Sequence, residues 1–375
     1  MRKFLLENVL PFWMEHGIDR ECGGIITCLD REGKPYGYEK NVWFAGRTMY
    51  TFSLAYNELD KNEKYLEVAR SMYGFLKKCT LDGSGRLPFI VSREGRCLVK
   101  REAYFSETFA AIGCAEYYLA TGLDEARELA HRYFDIAYSI YADDLARTPE
   151  LDPPAPETKP LGPSMILLSV AQVLRKLDKE KYDRVAKECA DEILVHFIEG
   201  KGLLENVGLN GEFIDTPTGR EVNPGHSLEA AWFLMAEGVY RNCELYKTKA
   251  KEIIDISMRL GYRDGGIIAF CDCDGNPPSQ LEWDMKIWWP QCEAMIANRL
   301  AYNVFGEKKY LADYEALRDY CFERYPDREH GEWYGYLHYD GTVANTLKGN
   351  VSKGPFHLPR MLYLIDRLER GLDIL

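Results

Sequence analysis

The chain has 375 residues and a formal net charge of -12. That balance excludes a phosphate-backbone partner, which needs a basic footprint, and it disfavours anionic lipid. With 46% hydrophobic and 28% charged residues the chain can bury a large core and cover it, as a soluble globular protein does, and no apolar run reaches the roughly 20 residues of a membrane span.

The N-terminus places Arg2 and Lys3 before an apolar run that ends at Trp13, but Glu7 and Asn8 interrupt it and no small-residue cleavage site follows. It is expected to be an amphipathic first helix and not a signal peptide. From there one pattern recurs about every sixty residues. Gly/Asp-rich segments at 23–35, 85–99, 202–215, 265–277 and 331–343 read as short strands joined by turns, and helical text follows each. The first helix after each loop opens near Arg47, Glu107, Met165, His226, Trp289 and His357, and a second starts at Tyr65, Glu125, Tyr182, Tyr246 and Tyr310. The Pro-rich stretch 151–163 stands where the third loop belongs, so it is a rigid loop within the period and not a linker. The expectation is one domain, 1–375, of six two-helix units.

The two helix types differ. Leu66, Ala69, Met72, Tyr73 and Leu76 make one apolar stripe with a wet opposite side, whereas 106–119 and 165–174 are apolar nearly all round. Buried helices alternating with half-exposed ones suggest an all-α (α/α)6 barrel, six inner helices ringed by six outer ones, with short β-hairpins at one rim. An open solenoid would alternate too, and periodicity alone does not decide between them. In the barrel the first turns of the inner helices line one cavity.

His226 and His357 fall at the same phase of the repeat, each just after a proline-containing helix start. There the helix dipole favours a neutral imidazole, which can serve as a base. Glu229 and Arg360 each follow their histidine by three residues, on the same helical face. Trp288, Trp289 and Glu293 mark the fifth inner helix, and Trp43 with Arg47 repeats the combination in unit one, with Tyr104 or Glu107 as the counterpart in unit two. Flat aromatic faces beside charged groups suit a sugar, whose C–H faces pack on rings while its hydroxyls bind charges. Arg47 is a fixed cation able to stabilise a developing oxyanion. The remaining histidines, His16, His131, His196, His330 and His338, read as surface or loop residues, and Cys271 with Cys273 as a structural pair and no metal site. Eleven cysteines without a framework spacing fit a reducing cytoplasm. No P-loop, H-E-x-x-H or nucleophile elbow occurs.

Five segments, Phe12-Trp-Met-Glu-His-Gly-Ile-Asp-Arg-Glu-Cys-Gly-Gly24, Val42-Trp-Phe-Ala-Gly-Arg47, Pro224-Gly-His-Ser-Leu-Glu-Ala230, Lys286-Ile-Trp-Trp-Pro-Gln-Cys-Glu-Ala294 and Phe356-His-Leu-Pro-Arg360, resemble the signature segments of the N-acylglucosamine 2-epimerase family. The resemblance implies an (α/α)6 barrel, often homodimeric, that interconverts epimers or aldose–ketose pairs of sugars without a redox cofactor; a nucleotide activator stays open. It also implies that His226 and His357 are the acid/base pair and that Arg47, Glu229, Glu293 and Arg360 bind or position the sugar. Two departures stand out: Gln291 replaces a histidine frequent in the family, and 165–170 offers no third histidine of the kind carried by the cellobiose 2-epimerase and aldose–ketose isomerase branches. The leading expectation is 2-epimerisation of N-acetylglucosamine and N-acetylmannosamine. The alternatives are an epimerase or isomerase of an unacylated hexose or disaccharide, and an (α/α)6 glycoside hydrolase drawing on Glu107, Asp284, Glu229 and Glu293. A non-catalytic sugar-binding protein on the same barrel is the third.

Overall fold

The structure is a computed structural model that describes residues 1–79, 85–100, 104–142 and 158–374. Helix α1 occupies 2–17 as alternating stretches, α at Arg2–Phe4, π at Leu5–Val9, α at Leu10–Phe12 and π at Trp13–Gly17. Pro11, in its middle, has no N–H for the i−4 carbonyl, and wider π turns flank that break. Helices then come in pairs: α2 Val42–Glu58 with α3 Glu63–Lys78, α4 Phe105–Thr121 with α5 Asp124–Ala142, and α6 Gly162–Leu174 with α7 Lys179–Val195. The next pairs are α8 Pro224–Arg241 with α9 Glu244–Gly261 and α10 Trp288–Phe305 with α11 Lys308–Arg324, and α12 His357–Glu369 comes last.

The even-numbered helices are inner. In α4 every residue from Ser106 to Tyr117 is buried, whereas α3 buries Tyr65, Leu66, Ala69, Met72, Tyr73, Phe75 and Leu76 and wets its other face. Each inner helix packs on the next, from α2 through α12. The ring comes round where the Thr51 hydroxyl donates to the Pro355 carbonyl at 2.8 Å and Arg367 meets Glu58 at 3.4 Å. Helix α1 packs on α12, and Arg2 donates to the Leu59 carbonyl. The (α/α)6 barrel is therefore the fold, with one correction to its assembly. The six hairpins are not all made of consecutive helices, because the outer partner of α12 is α1, so the two ends of the chain share the sixth unit.

Short antiparallel strands crowd the rim from which the inner helices start. Lys40–Asn41 pairs with Ile90–Val91, Glu221–Val222 with Cys271–Asp272, and Lys286–Ile287 with Tyr336–Leu337. A strand leading into one inner helix is thus bonded to the loop of the following unit, which fixes neighbouring helix starts relative to each other. Of the Pro-rich stretch, 151–157 lie outside the described residues, and Thr158–Pro160 is a strand paired with Asn206–Gly208. The first loop differs from expectation, since 23–35 holds only isolated bridges, Ile18 with Ile25 and Leu29 with Pro35. Buried ion pairs pin the same rim: Lys40 to Asp19 at 2.8 Å, Lys348 to Asp327 at 2.9 Å and Lys353 to Glu332 at 2.5 Å. The last lies four residues before His357.

Helices α2 and α4 approach closely because both are glycine at the contact. A Cβ on Gly46 would lie 2.4 Å from the Phe109 carbonyl carbon, and one on Gly113 would lie 2.5 Å from the Gly46 oxygen. Backbone cannot yield as a side-chain tip can. Gly46→Ala is therefore expected to destabilise the fold by about 1–3 kcal/mol or more, read as a lower urea midpoint, and to displace the neighbouring Arg47.

Candidate active site

A cavity of about 650 Å³ opens at this rim, inside the ring of inner helices. Of the residues picked from sequence, Trp43, Arg47, His226, Glu229, Trp288, Trp289, His357 and Arg360 line it. Glu293 lies one layer behind, fully buried and bonded to residues that do. Tyr104 and Glu107 do not line it, which corrects the assignment in unit two. Glu107 faces away from the axis, where its carboxylate takes Arg86 Nε at 2.6 Å and the Leu87 N–H at 3.0 Å. Phe105 and Phe109, two positions to either side, take its place on the wall.

His226 is the third residue of α8. Asn223 caps that helix, its Oδ1 accepting the His226 N–H at 3.1 Å, and Pro224 starts it with φ already helical. The ring's Nδ1 sits 3.1 Å from both carboxylate oxygens of Glu205, a residue that sequence reasoning missed. It lies in the loop before α8, within the 202–215 segment, which also holds Glu212 and Asp215, so residue type alone did not single it out. Burial disfavours the imidazolium, yet the adjacent Glu205 carboxylate outweighs it and lifts the His226 pKa above the ordinary histidine value.

His357 is the first residue of α12. Its Nδ1 meets Glu293 Oε1 at 2.8 Å, and Arg360 Nη2 binds the same oxygen at 2.9 Å while also donating to Glu229 Oε1. Trp232 Nε1 holds the other Glu293 oxygen at 2.8 Å. The negative charge beside His357 is thus already matched by Arg360. Burial, with Arg360, Arg47 and His226 nearby, holds the His357 pKa well below the ordinary value despite Glu229. The helix-dipole expectation of two neutral imidazoles therefore agrees in direction with His357, whereas at His226 the contacting Glu205 carboxylate shifts the balance toward the cation.

An ionised carboxylate only accepts, so each Nδ1 carries a proton and each neutral ring keeps its lone pair on Nε2. The Trp289 ring packs against both imidazoles, its centroid 5.0 Å from that of His226 and 5.6 Å from that of His357. Arg47 is stacked among Phe109 at 3.9 Å, Phe356 at 4.6 Å and Trp43 at 4.8 Å. Its Nε is buried without a hydrogen-bond partner among the described residues, so its donors are uncommitted. Burial lowers its pKa to about 9, although Glu229 favours the cation.

Gln291 is structural: it accepts from the Ile267 N–H at 2.8 Å and donates to the Ile267 and Ile287 carbonyls at 2.7 and 3.0 Å. Trp288 packs edge-on to Tyr336 at 5.5 Å. His196 corrects the surface expectation, being fully buried with Nδ1 3.1 Å from the Leu204 carbonyl oxygen. Glu229, Glu293 and His357 offer ligand atoms within 4.8 Å of one another, but Arg360 already bridges the two carboxylates, so a metal ion there has to displace it. Among the hydrolase candidates, Glu107 and Asp284 lie off the cavity, and Glu229 and Glu293 share Arg360.

Residues 24–357 match the N-acylglucosamine 2-epimerase (GlcNAc 2-epimerase) family. The chain is 35% identical over 384 residues to the N-acylglucosamine 2-epimerase of Bos taurus, covering 98% of this chain and 90% of that one. Solved structures share the fold. A cellobiose 2-epimerase from Bacillus thermoamylovorans B4167 superposes with a TM-score of 0.84 at 22% identity over 98% of both chains. A D-mannose isomerase superposes with a TM-score of 0.86 at 18% identity over 99% of this chain and 98% of that one. With residues 24–357 matched and a named relative aligned along nearly the whole length, the chain belongs to the N-acylglucosamine 2-epimerase family.

Proposed function

We propose that the protein interconverts N-acetylglucosamine and N-acetylmannosamine by moving the proton at C2, with His226 and His357 as the acid/base pair. The observation that carries this is the pair of imidazoles that line one cavity against Trp289, each tied through Nδ1 to a carboxylate, which leaves Nε2 as the basic nitrogen. Once the pyranose ring opens, C2–H lies alpha to the C1 aldehyde and becomes acidic. Neutral His357 takes the proton through Nε2. The charge moves to O1, where the uncommitted Arg47 guanidinium stabilises the enolate. Protonated His226 then delivers a proton to the other face, and the reverse reaction exchanges the roles. Positioned acid/base catalysis of this kind contributes about 10²–10⁴-fold for each group. Glu293, Arg360 and Glu229 position His357 and the sugar, and Trp43, Trp288 and Trp289 supply ring faces. Nothing in the chemistry calls for a redox cofactor. We further take 1–375 as one catalytic domain and expect a cytoplasmic homodimer; sedimentation velocity measures its mass.

The test is proton NMR of N-acetylmannosamine with the purified protein in deuterated water. N-acetylglucosamine is expected to form carrying deuterium at C2. Absence of turnover in both directions rejects the function, and turnover that retains protium at C2 rejects the two-histidine route.

Glu205 orients His226 and stabilises its cation, which leads to a separate expectation. In Glu205→Gln the raised pKa of His226 falls, so the imidazolium is lost at lower pH and the alkaline limb of kcat moves down. The rate at neutral pH drops on the order of 10²-fold, whereas the acid limb, set by His357, stays in place. A pH–rate profile of the variant against the wild type checks both limbs.

A further inference from the structure

His196 is a buried histidine that the chemistry above does not use. It follows the last residue of the outer helix α7. Its backbone carbonyl accepts the Leu204 N–H at 3.1 Å, beside the hairpin in which Phe197–Ile198 pairs with Gly202–Leu203. A carbonyl only accepts, so at 3.1 Å from the Leu204 oxygen the ring's Nδ1 carries the proton and donates it. Nε2 is then a buried acceptor with no partner among the described residues. Leucine or phenylalanine in such a place leaves no ring nitrogen unmet, so what the imidazole adds is the Nδ1–H bond.

Leu204 precedes Glu205, whose carboxylate has no hydrogen bond among the described residues besides those to His226. With no second donor to orient it, its aim depends on how its backbone is held. The Glu205 N–H donates to the Glu221 carbonyl at 3.1 Å, and its carbonyl accepts the Leu161 N–H at 2.9 Å. Just before it, the Leu203 carbonyl accepts the Ser227 hydroxyl at 3.1 Å, and Leu204 is held at both its N–H and its carbonyl by His196. We propose that His196 is a positioning residue for the His226–Glu205 pair. By fixing the Leu204 carbonyl from the outer ring, it aims the next residue's carboxylate at His226 Nδ1 and so favours the His226 cation. The charged neighbours of His226 are Glu205, Glu229 and Glu221, and the same cavity holds Arg47, Glu282, His357 and Arg360. Those of His196 are Glu192, Lys159 and Glu205, and burial holds its pKa below the ordinary value, so it remains a neutral donor while His226 titrates. The kinetic consequence rests on the epimerase reading.

The experiment follows the His226 ring Cε1–H by NMR through a pH titration of the sugar-free protein, and kcat for N-acetylmannosamine over the same pH range. The variants are His196→Leu, His196→Phe and His196→Asn, with His196→Leu repeated in a Glu205→Gln background. The apolar variants should lower the half-titration pH of His226 by about 0.5–1, and His196→Asn, whose amide N–H can replace Nδ1–H, should stay within about 0.2 of the wild type. The alkaline limb of kcat should follow the titration, and the acid limb should stay in place. With Glu205→Gln present, His196→Leu should move the half-titration by less than about 0.2, because two substitutions acting through one contact are not additive. A folded apolar variant whose His226 titrates as in the wild type, or an equal shift in the Glu205→Gln background, overturns the proposal. So does an asparagine variant that shifts as far as the leucine one, or a titration that moves while the alkaline limb does not. If neither apolar variant folds, His196 serves the fold alone and the proposal falls. The titration needs no sugar, so it decides the positioning role even where no N-acyl hexosamine is turned over, a result that overturns the epimerase reading by itself.

Discussion

His226→Ala and His357→Ala are each expected to lower kcat for epimerisation by about 10²–10⁴-fold, and to leave opposite isotopic signatures. A surviving histidine can still remove the C2 proton that faces it, exchange it with solvent and return it to the same side. In deuterated water, therefore, each variant should wash deuterium into one epimer without inverting it, and the two variants should label different epimers. With His357 alone, exchange occurs from the state populated at rest, since its imidazole is neutral well below the ordinary histidine pKa. With His226 alone, exchange needs the less populated neutral ring, because Glu205 favours the cation, and so it should speed up as pH rises. A variant that labels both epimers equally, or one that inverts at the wild-type rate, removes its histidine from the pair. Proton NMR of each epimer incubated separately gives both readouts.

Arg360→Met is expected to damage stability and chemistry together. Arg360 is 7% exposed and joins Glu229 and Glu293, themselves 7% and 0% exposed. Methionine keeps much of the length and removes the charge, leaving two buried carboxylates with no cation between them. Breaking a buried pair in this way costs about 3–5 kcal/mol, measurable as a lower urea midpoint. Like charge raises the pKa of a carboxylate, and a group whose folded pKa is raised adds stability below its unfolded pKa that is lost as pH rises through the folded value. The deficit should accordingly be smallest in acid and grow toward neutrality. Chemistry shifts in the corresponding sense. Arg360 is one of the cations that hold the His357 pKa down, so without it His357 protonates at higher pH, the neutral base becomes scarcer, and the acid limb of kcat moves up. At neutral pH the loss should reach at least about 10²-fold. An acid limb that stays in place while stability falls would make Arg360 a structural residue only.

Much of this site could be read before any tertiary contact was known. The sixty-residue period put inner helices close to where they begin, at Val42, Phe105, Gly162, Pro224, Trp288 and His357. The three-residue spacing put Glu229 and Arg360 on the cavity beside their histidines. The same period misled at Glu107, which stands two residues into α4 as His226 stands two residues into α8, yet is held off the cavity by Arg86 and the Leu87 N–H while Phe105 and Phe109 line it. Glu205 escaped for a different reason. It reaches His226 from 21 residues away through a loop, and no helical or strand spacing encodes that approach. The split sixth hairpin escaped likewise, since periodicity registers neighbours along the chain and α1 meets α12 only when the ring comes round.

By itself the sequence determined the alternation of buried and half-wet helices and the identity of most groups on the inner first turns, while closure into a barrel came from the family resemblance and from the contacts that bring the ring round. The alternation and the residue identities depend on residue type and local spacing, which the chain carries explicitly. Only the tertiary structure decided which histidine has its cation favoured and which disfavoured, because that depends on which distant groups reach within a few ångströms. At His226 an unshared Glu205 carboxylate favours the cation. At His357 the carboxylate of Glu293 is already claimed by Arg360, so burial prevails and the ring stays neutral.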